Sequence, residues 1–214
     1  MVKSKNKNGL FDNSWFWIII IILAVTVFVA SLVYWIKFAG EAYDGRNGEY
    51  KITSSKVGNT IFYHVSVDVN NNEYIYSFRN HPVDLEDIYL EPGLLAKLNR
   101  PDGLKIAYIT QDIELANMTD SDSVLAIAAF EQILTGNFGI YNVPLINTYT
   151  ENFVKSKRPI NCTNVSDNVA VIYLRVGDET RVYSENDCII IQGRGGNGLV
   201  RAAEKFAYYL IGVF

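Results

Sequence analysis

The longest apolar stretch of the chain lies near its start, where Ser14 to Ile36 contains no charged residue. A helix rising about 1.5 Å per residue over this length reaches across the roughly 30 Å hydrocarbon core of a bilayer. Trp15 and Trp17 stand at one end and Tyr34 and Trp35 at the other, where amphipathic rings occupy the two headgroup layers. A cleaved secretory signal has a shorter apolar run, about 7–15 residues, with small residues at its cut site. Here the run is longer, and only Val29-Ala30-Ser31 offers a weak site for cleavage. The pattern predicts a retained transmembrane helix over residues 14–38 behind a tail at 1–13.

Beyond the helix, Gly40, Gly45 and Gly48 among polar residues predict a short link over 39–48 and a folded domain over 49–214. Hydrophobic period two then sets in. Ile61, Tyr63, Val65, Val67 and Val69 alternate with polar positions as a strand, Asn70-Asn71-Asn72 supplies a turn, and Tyr74, Tyr76 and Phe78 alternate again as the return strand. Tyr50 to Ser54 pairs beside this hairpin. Three of the five prolines fall in 80–102, which predicts loops around one short helix at 93–98.

Leu104 to Thr110 reads as a short strand. Thr119-Asp120-Ser121-Asp122 offers N-cap oxygens to a helix over 123–134, and its apolar residues Val124, Ile127, Ala128, Phe130, Ile133 and Leu134 surround most of its circumference, which predicts deep burial. Strands follow at 143–149, 169–176, 180–184 and 188–192, with Gly177-Asp178 turning between the middle two. The runs Val169 to Leu174 and Cys188 to Ile191 are continuously apolar, as expected of strands covered by helices on both faces. A closing helix over 198–211 carries Leu199, Ala202, Ala203, Phe206, Leu210 and Phe214 along one stripe. The succession predicts an α/β fold: a layered domain with a mixed sheet and an appended N-terminal β-hairpin.

Composition agrees with one folded domain behind the anchor. The chain has 214 residues, and 49% hydrophobic and 13% aromatic content excludes a disordered body. Setting aside the anchor region leaves 15 basic and 22 acidic residues, a charge of −7 that repels phosphate backbones and excludes nucleic acid as partner. Lys3, Lys5 and Lys7 precede the helix, whereas Lys37, Arg46 and Lys51 follow it amid Glu41, Asp44 and Glu49. This bias is small and favours a cytoplasmic N-terminus, with the C-terminal domain outside the cytoplasm. Two cysteines, Cys162 and Cys188, and three N-x-[ST] acceptors at Asn117, Asn161 and Asn164 agree with export. A Cys162–Cys188 bridge is expected over the alternative of two unpaired thiols; closing a loop of about 25 residues, it would contribute roughly 3 kcal/mol in the chain-entropy picture.

The sharpest chemical motif is Gly193-Arg194-Gly195-Gly196-Asn197-Gly198, a G-x-G-x-x-G that follows an apolar strand and opens a helix. A dinucleotide site needs a further strand and an acidic residue about 20 positions on, and the sequence holds neither. An anion contact at Gly193, Arg194, Gly195, Gly196 and Gly198 stands against a plain strand-to-helix turn, and the turn is the expectation. Asp84, Glu86, Asp87 and Glu91 beside His81 form an acidic run without EF-hand spacing, read as a solvated loop. His64 and His81 are too few for a multi-histidine zinc site, and His64 sits on a strand face where a surface role is expected. No metal, no cofactor and no catalytic residue is expected, and no G-x-S-x-G nucleophile motif occurs.

The succession Tyr76-x-Phe78-Arg79-Asn80-x-Pro82, Ile160-Asn161-Cys162, Val169 to Leu174, Thr180-Arg181-Val182-Tyr183, Cys188-Ile189-Ile190 and Ala202-Ala203 to Leu210-Ile211-Gly212 resembles uncharacterised N-terminally anchored proteins of small-genome, DPANN-type archaea. The resemblance covers most of the exposed part, implies an archaeal cell-envelope setting and transfers no site residues. Its paired cysteines map onto Cys162 and Cys188. The leading functional expectation is a non-enzymatic surface or interaction protein, single-pass in the cell membrane, whose partners are the lipid bilayer and other envelope or membrane proteins. One alternative is an envelope enzyme acting on glycan or peptide with Asp84, Glu86 or Asp87 as acid and base. Another is a pilin-like subunit, suggested by Lys7-Asn8-Gly9 ahead of the hydrophobic helix.

Overall fold

A computed structural model describes residues 14–38, 40–99, 104–112, 114–115, 121–135, 140–151 and 158–214. Helix α1 spans Ser14–Phe38. Its stretch Trp15–Tyr34 is 20 residues long, apolar on every side and covered by no protein, so it is long and apolar enough to cross a membrane. The hydroxyls inside it are satisfied locally: Thr26 Oγ1 donates to the carbonyl of Ile22, and Ser31 Oγ to that of Phe28 at 2.8 Å. Gly40, at φ 71°, takes the left-handed conformation that commonly follows a helix end.

The second compact unit runs from Ala42 to Phe214. It opens with a four-stranded sheet in sequential order: β1 Glu41–Gly45, β2 Gly48–Val57, β3 Thr60–Val69 and β4 Asn72–Phe78. Strand β3 pairs antiparallel with β2 and β4. Asn70 and Asn71 carry positive φ of 53° and 64° in the predicted turn between β3 and β4. The expected hairpin is therefore half of a larger meander, and the link expected over 39–48 is corrected: residues 41–45 and 48–57 are strands. A segment with one large apolar residue among three glycines has the composition of a linker. Its backbone nevertheless pairs, because Arg46 and Asn47 donate their N–H groups to the carbonyls of Val213 and Gly212, at 3.0 and 3.2 Å.

The second sheet has six strands in the order β5-β9-β10-β8-β6-β7. They are β5 Tyr89–Leu90, β6 Ile106–Gln111, β7 Leu145–Tyr149, β8 Val169–Val176, β9 Arg181–Glu185 and β10 Cys188–Gly193. Strands β7, β6, β8 and β10 run parallel, β9 pairs antiparallel with β10, and β5 runs parallel to β9. Although Gly177-Asp178 turns the chain from β8 to β9, the two do not pair. Strand β10 inserts between them after a two-residue turn at Asn186 and Asp187, both at positive φ.

Two helices, α2 Asp122–Leu134 and α3 Gly195–Leu210, form a single layer. Phe130 meets Phe206 edge-on at 5.8 Å, and Ile109, Ile172, Leu174, Ile189 and Ile191 are buried in the same cluster. The expected all-round burial of α2 is corrected, since Val124 is 66% exposed and only one side is covered. Expected helices on both sheet faces are corrected too. Val171, Cys188 and Ile190 form a separate cluster with Ile160, packed against Cys162 and Val165. Among the described residues a loop, not a helix, covers that face, which is why β8 and β10 read as apolar throughout. On the other side of α3, Phe78 of β4 lies 4.0 Å from Tyr208, and Tyr50 donates to the carbonyl of Ile211 at 3.0 Å.

Helix α3 ties these layers with a buried charge. Glu204, 3% exposed, accepts from the backbone N–H groups of Arg79 and Asn80 at 2.6 and 2.9 Å and from Asn80 Nδ2 at 2.6 Å. Those donors would otherwise be unsatisfied where the chain leaves β4. Burial raises the carboxyl above its ordinary value, opposed by these hydrogen bonds.

Candidate functional site

Alternation in the second sheet sorts its side chains. Positions 172, 174, 182, 189 and 191 face the helices, whereas Tyr173, Arg175, Arg181, Tyr183 and Gln192 lie on the opposite parity, toward the carboxyl ends of β8 and β10. Register places Gln192 between Arg175 on β8 and Arg181 on β9. Along the same edge β6 leads away through α2 to β7, while β8 leads the other way to β9. Adjacent strands whose connections diverge leave a crevice beyond their carboxyl ends, the usual location of a ligand in an open α/β sheet. Here it is a cleft of about 580 Å³ whose lining includes Asp112, Tyr173, Arg175, Asp178, Arg181 and Gln192.

Its polar groups are mutually bonded. Arg175 Nε donates to Gln192 Oε1 at 2.9 Å, and its terminal nitrogen donates to the Tyr183 hydroxyl. That hydroxyl donates to Gln192 Oε1 at 3.3 Å, and Gln192 Nε2 donates to the carbonyl of Glu179 at 3.0 Å. Tyr173 donates to Asp112 Oδ1. Burial, then the Asp112 carboxylate, push the Tyr173 hydroxyl up, so it stays a donor. Tyr183 is likewise raised by burial, against the lowering effect of Arg175. Arg181 lies 4.5 Å over the Tyr183 ring and pairs with Glu179 at 3.2 Å, but its Nε is buried with no hydrogen-bond partner among the described residues. The cleft thus offers a mixed-charge floor whose side chains are tied to one another.

None of these residues is singled out by sequence motif. A faint signal exists in the polar interruptions of apolar strands, Arg175 after Tyr173 and Gln192 after Ile191, which alternation assigns to one face.

Cys162 and Cys188 are brought to disulfide distance, with Cα atoms 5.2 Å apart. Cys162 opens a 3-10 turn over Cys162–Asn164 that Asn161 caps: its Oδ1 accepts from Thr163 N at 3.0 Å, and Asn164 Oδ1 accepts from Asn161 N at 2.9 Å. Asn161 is exposed and Asn164 half-buried. Asn117 lies outside the described residues.

The glycine motif is accounted for by packing. A Cβ on Gly193 would stand 2.0 Å from the backbone nitrogen of Leu199, so strand β10 and α3 approach too closely for a side chain. Gly195 has φ 69°, a Cβ on Gly196 would meet the Asp122 carboxylate at 2.0 Å, and one on Gly198 would meet Thr180 Oγ1 at 2.7 Å. The helix start therefore already faces a carboxylate of its own chain. Arg194 is exposed and donates its N–H to Thr180 Oγ1 at 3.2 Å.

The acidic run is dispersed. Glu86 accepts from Tyr43 at 3.0 Å, Asp87 pairs with Arg201 at 2.9 Å, the carbonyl of Asp84 accepts from Arg201 at 2.6 Å, and Glu91 holds Ser184 through two bonds of 2.7 Å. No two of these carboxylates share a partner in these bonds. His81 is buried, its Nδ1 accepting from Val83 N at 3.3 Å. His64 bridges Ser55 and Ser77 at 2.7 and 2.8 Å on the meander face. Among the described residues no group of three or more side chains is placed to hold a metal ion. No protein-family model, curated protein or solved structure matches the chain.

Proposed function

We propose that the chain is a single-pass, membrane-anchored interaction protein of the cell envelope, with α1 in the bilayer, its N-terminal tail in the cytoplasm and the α/β domain outside. The observation that carries this reading is the juxtaposition of Cys162 and Cys188 at disulfide distance in a chain that also has a helix long enough to span. Disulfides persist in oxidising compartments and are rare in the cytosol of most cells. The small excess of lysines ahead of the helix points the same way, and the resemblance to anchored archaeal proteins gives the setting. The cleft at the carboxyl ends of β6, β8 and β10 is the contact site this reading assigns, because it gathers Tyr173, two guanidiniums and the Asp112 and Asp178 carboxylates.

The enzyme alternative, with Asp84, Glu86 or Asp87 as acid and base, is less favoured, since Glu86 accepts from Tyr43 and Asp87 pairs with Arg201, so these two carboxylates are held by different partners. A pilin-like role finds no support in α1, which ends at Phe38 and gives way to β1 at Glu41 instead of continuing into the domain. Its motif at Lys7 to Leu10 lies outside the described residues.

Thiol labelling of intact cells tests the placement. A membrane-impermeant maleimide should leave Cys162 and Cys188 unmodified before reduction and label both after an impermeant reductant. Labelling that needs neither reductant nor an outside approach, but only permeabilised cells, would overturn it.

A further inference from the structure

We infer that Asn161 is an N-linked glycosylation site of this domain and that Asn164, three residues further on, is not. The inference rests on the extracytoplasmic placement proposed above. Both asparagines head an N-x-[ST] tripeptide, Asn161-Cys162-Thr163 and Asn164-Val165-Ser166, so sequence alone does not separate them.

The structure separates them by what each tripeptide is already doing. In the first, the chain folds back on itself: Thr163 Oγ1 donates to Asn161 Oδ1 at 2.6 Å and Thr163 N donates to the same oxygen at 3.0 Å. Asn161 is exposed, and Nδ2 makes no hydrogen bond to the described residues. The hydroxyl that defines the tripeptide is thus in contact with its own asparagine, and the amide plane is held in one orientation. A transferase meeting this turn has little side-chain freedom left to freeze. The link between Cys162 and Cys188 fixes the middle residue to β10 and maintains the turn in the folded domain.

In the second tripeptide the same closure is blocked. Asn164 is half-buried and its Oδ1 is committed to the backbone of Asn161 at 2.9 Å. Ser166 is fixed by two backbone bonds with Val169, both 3.1 Å, so residues 164–166 run into a bridge and do not turn. The hydroxyl of Ser166 makes no bond to Asn164 among the described residues.

The reaction needs a saccharide carried on a lipid phosphate or pyrophosphate, with a membrane transferase to join it. Nδ2 of Asn161 forms a bond to C1 of the sugar. The bond from C1 to the phosphate oxygen breaks, the lipid phosphate leaves with the electron pair, and one Nδ2 proton passes to a base of the transferase. Neither partner is oxidised. The glycan would then stand over the loop that covers the second face of the six-stranded sheet.

Site mapping tests this on the full chain made in cells that perform N-glycosylation. Mass spectrometry of peptides holding Asn117, Asn161 and Asn164 should find the sugar on Asn161. Occupancy should fall below detection in Asn161→Gln and Thr163→Val, and persist in Thr163→Ser, Asn164→Gln and Ser166→Ala. A sugar on Asn164 or Asn117 with Asn161 bare would overturn the inference, whatever the variants do. Three bare asparagines in a protein whose cysteines label only from outside after reduction would overturn it and leave the placement standing. Three bare asparagines with cysteines reached only from the cytoplasm would sink both.

Discussion

Glu204 and Lys205 are neighbours on α3, and both are nearly covered, at 3% and 6% exposure. Glu204 is matched by three donors, whereas Lys205 lies against the Phe214 ring, 3.2 Å from its centre, in a region where Glu86 and Asp87 exert only a weaker upward pull. Burial dominates and brings the ammonium down to about 8 from 10.5. A native state that releases this proton earlier than the unfolded chain binds fewer protons between those values. Stability therefore rises with pH across that window and carries the full cost of the buried charge below it. Lys205→Met keeps the packing without the charge. It should raise stability at pH 7 by roughly 1 kcal/mol, net of the lost cation–π contact, with the gain fading as pH passes from about 8 to 10.5. Urea titrations of both proteins across that range check the sign; a gain that grows with pH would show that Lys205 is not held charged at a cost. Sequence reading assigned the stripe of α3 from Leu199 to Leu210 correctly. The burial of Glu204 and Lys205 lies outside that stripe, because helical period says nothing about a second sheet packed on the far side.

At the scale of elements, the loop around Cys162 takes the place of a second helical layer. Ile160, Cys162 and Val165 cover Val171, Cys188 and Ile190, so the bridge and the burial of one sheet face are a single device. Cys188→Ser should lower unfolding stability by about 3 kcal/mol relative to the oxidised protein, through the freed loop. The same loss should follow reduction of the unmodified protein, and a denaturation midpoint insensitive to reductant would show that the link does not form. The network of Arg175, Tyr183, Gln192 and Glu179 is also an element-scale property. Arg175 and Gln192 were visible as polar interruptions in apolar strands, yet the convergence of the network depends on β10 entering between β8 and β9. Strand order is not encoded in alternation, since a strand's period fixes its faces and leaves its neighbours open. For the same reason the Gly177-Asp178 turn left open whether β8 and β9 pair, and the sheet separates them by β10.

For the whole molecule, the chain divides into two compact units, one of them built on a helix long and apolar enough to cross a membrane. Helix α1 exposes apolar side chains all round, and its hydroxyls bond to their own backbone, which suits lipid and not water. The unit from Ala42 onward has its own core and no need of that helix for packing inside its sheets. Residues 42–214 made without α1 should stay soluble after cell breakage and unfold cooperatively, whereas the full chain should enter solution only with detergent. Recovery of the intact full chain in the aqueous fraction would contradict the anchor. By itself, the sequence determined the apolar helix, most strand and helix positions of the α/β domain and the Asn70-Asn71 turn, because each depends on local period or turn chemistry. Only the tertiary structure decided that 41–45 is a strand, that helices cover one face alone, that the glycine motif serves close packing, and that Arg175, Arg181 and Gln192 share a cleft. Those outcomes depend on which surfaces meet across long sequence separations, and the free energy of such contacts is absent from any short window of the chain.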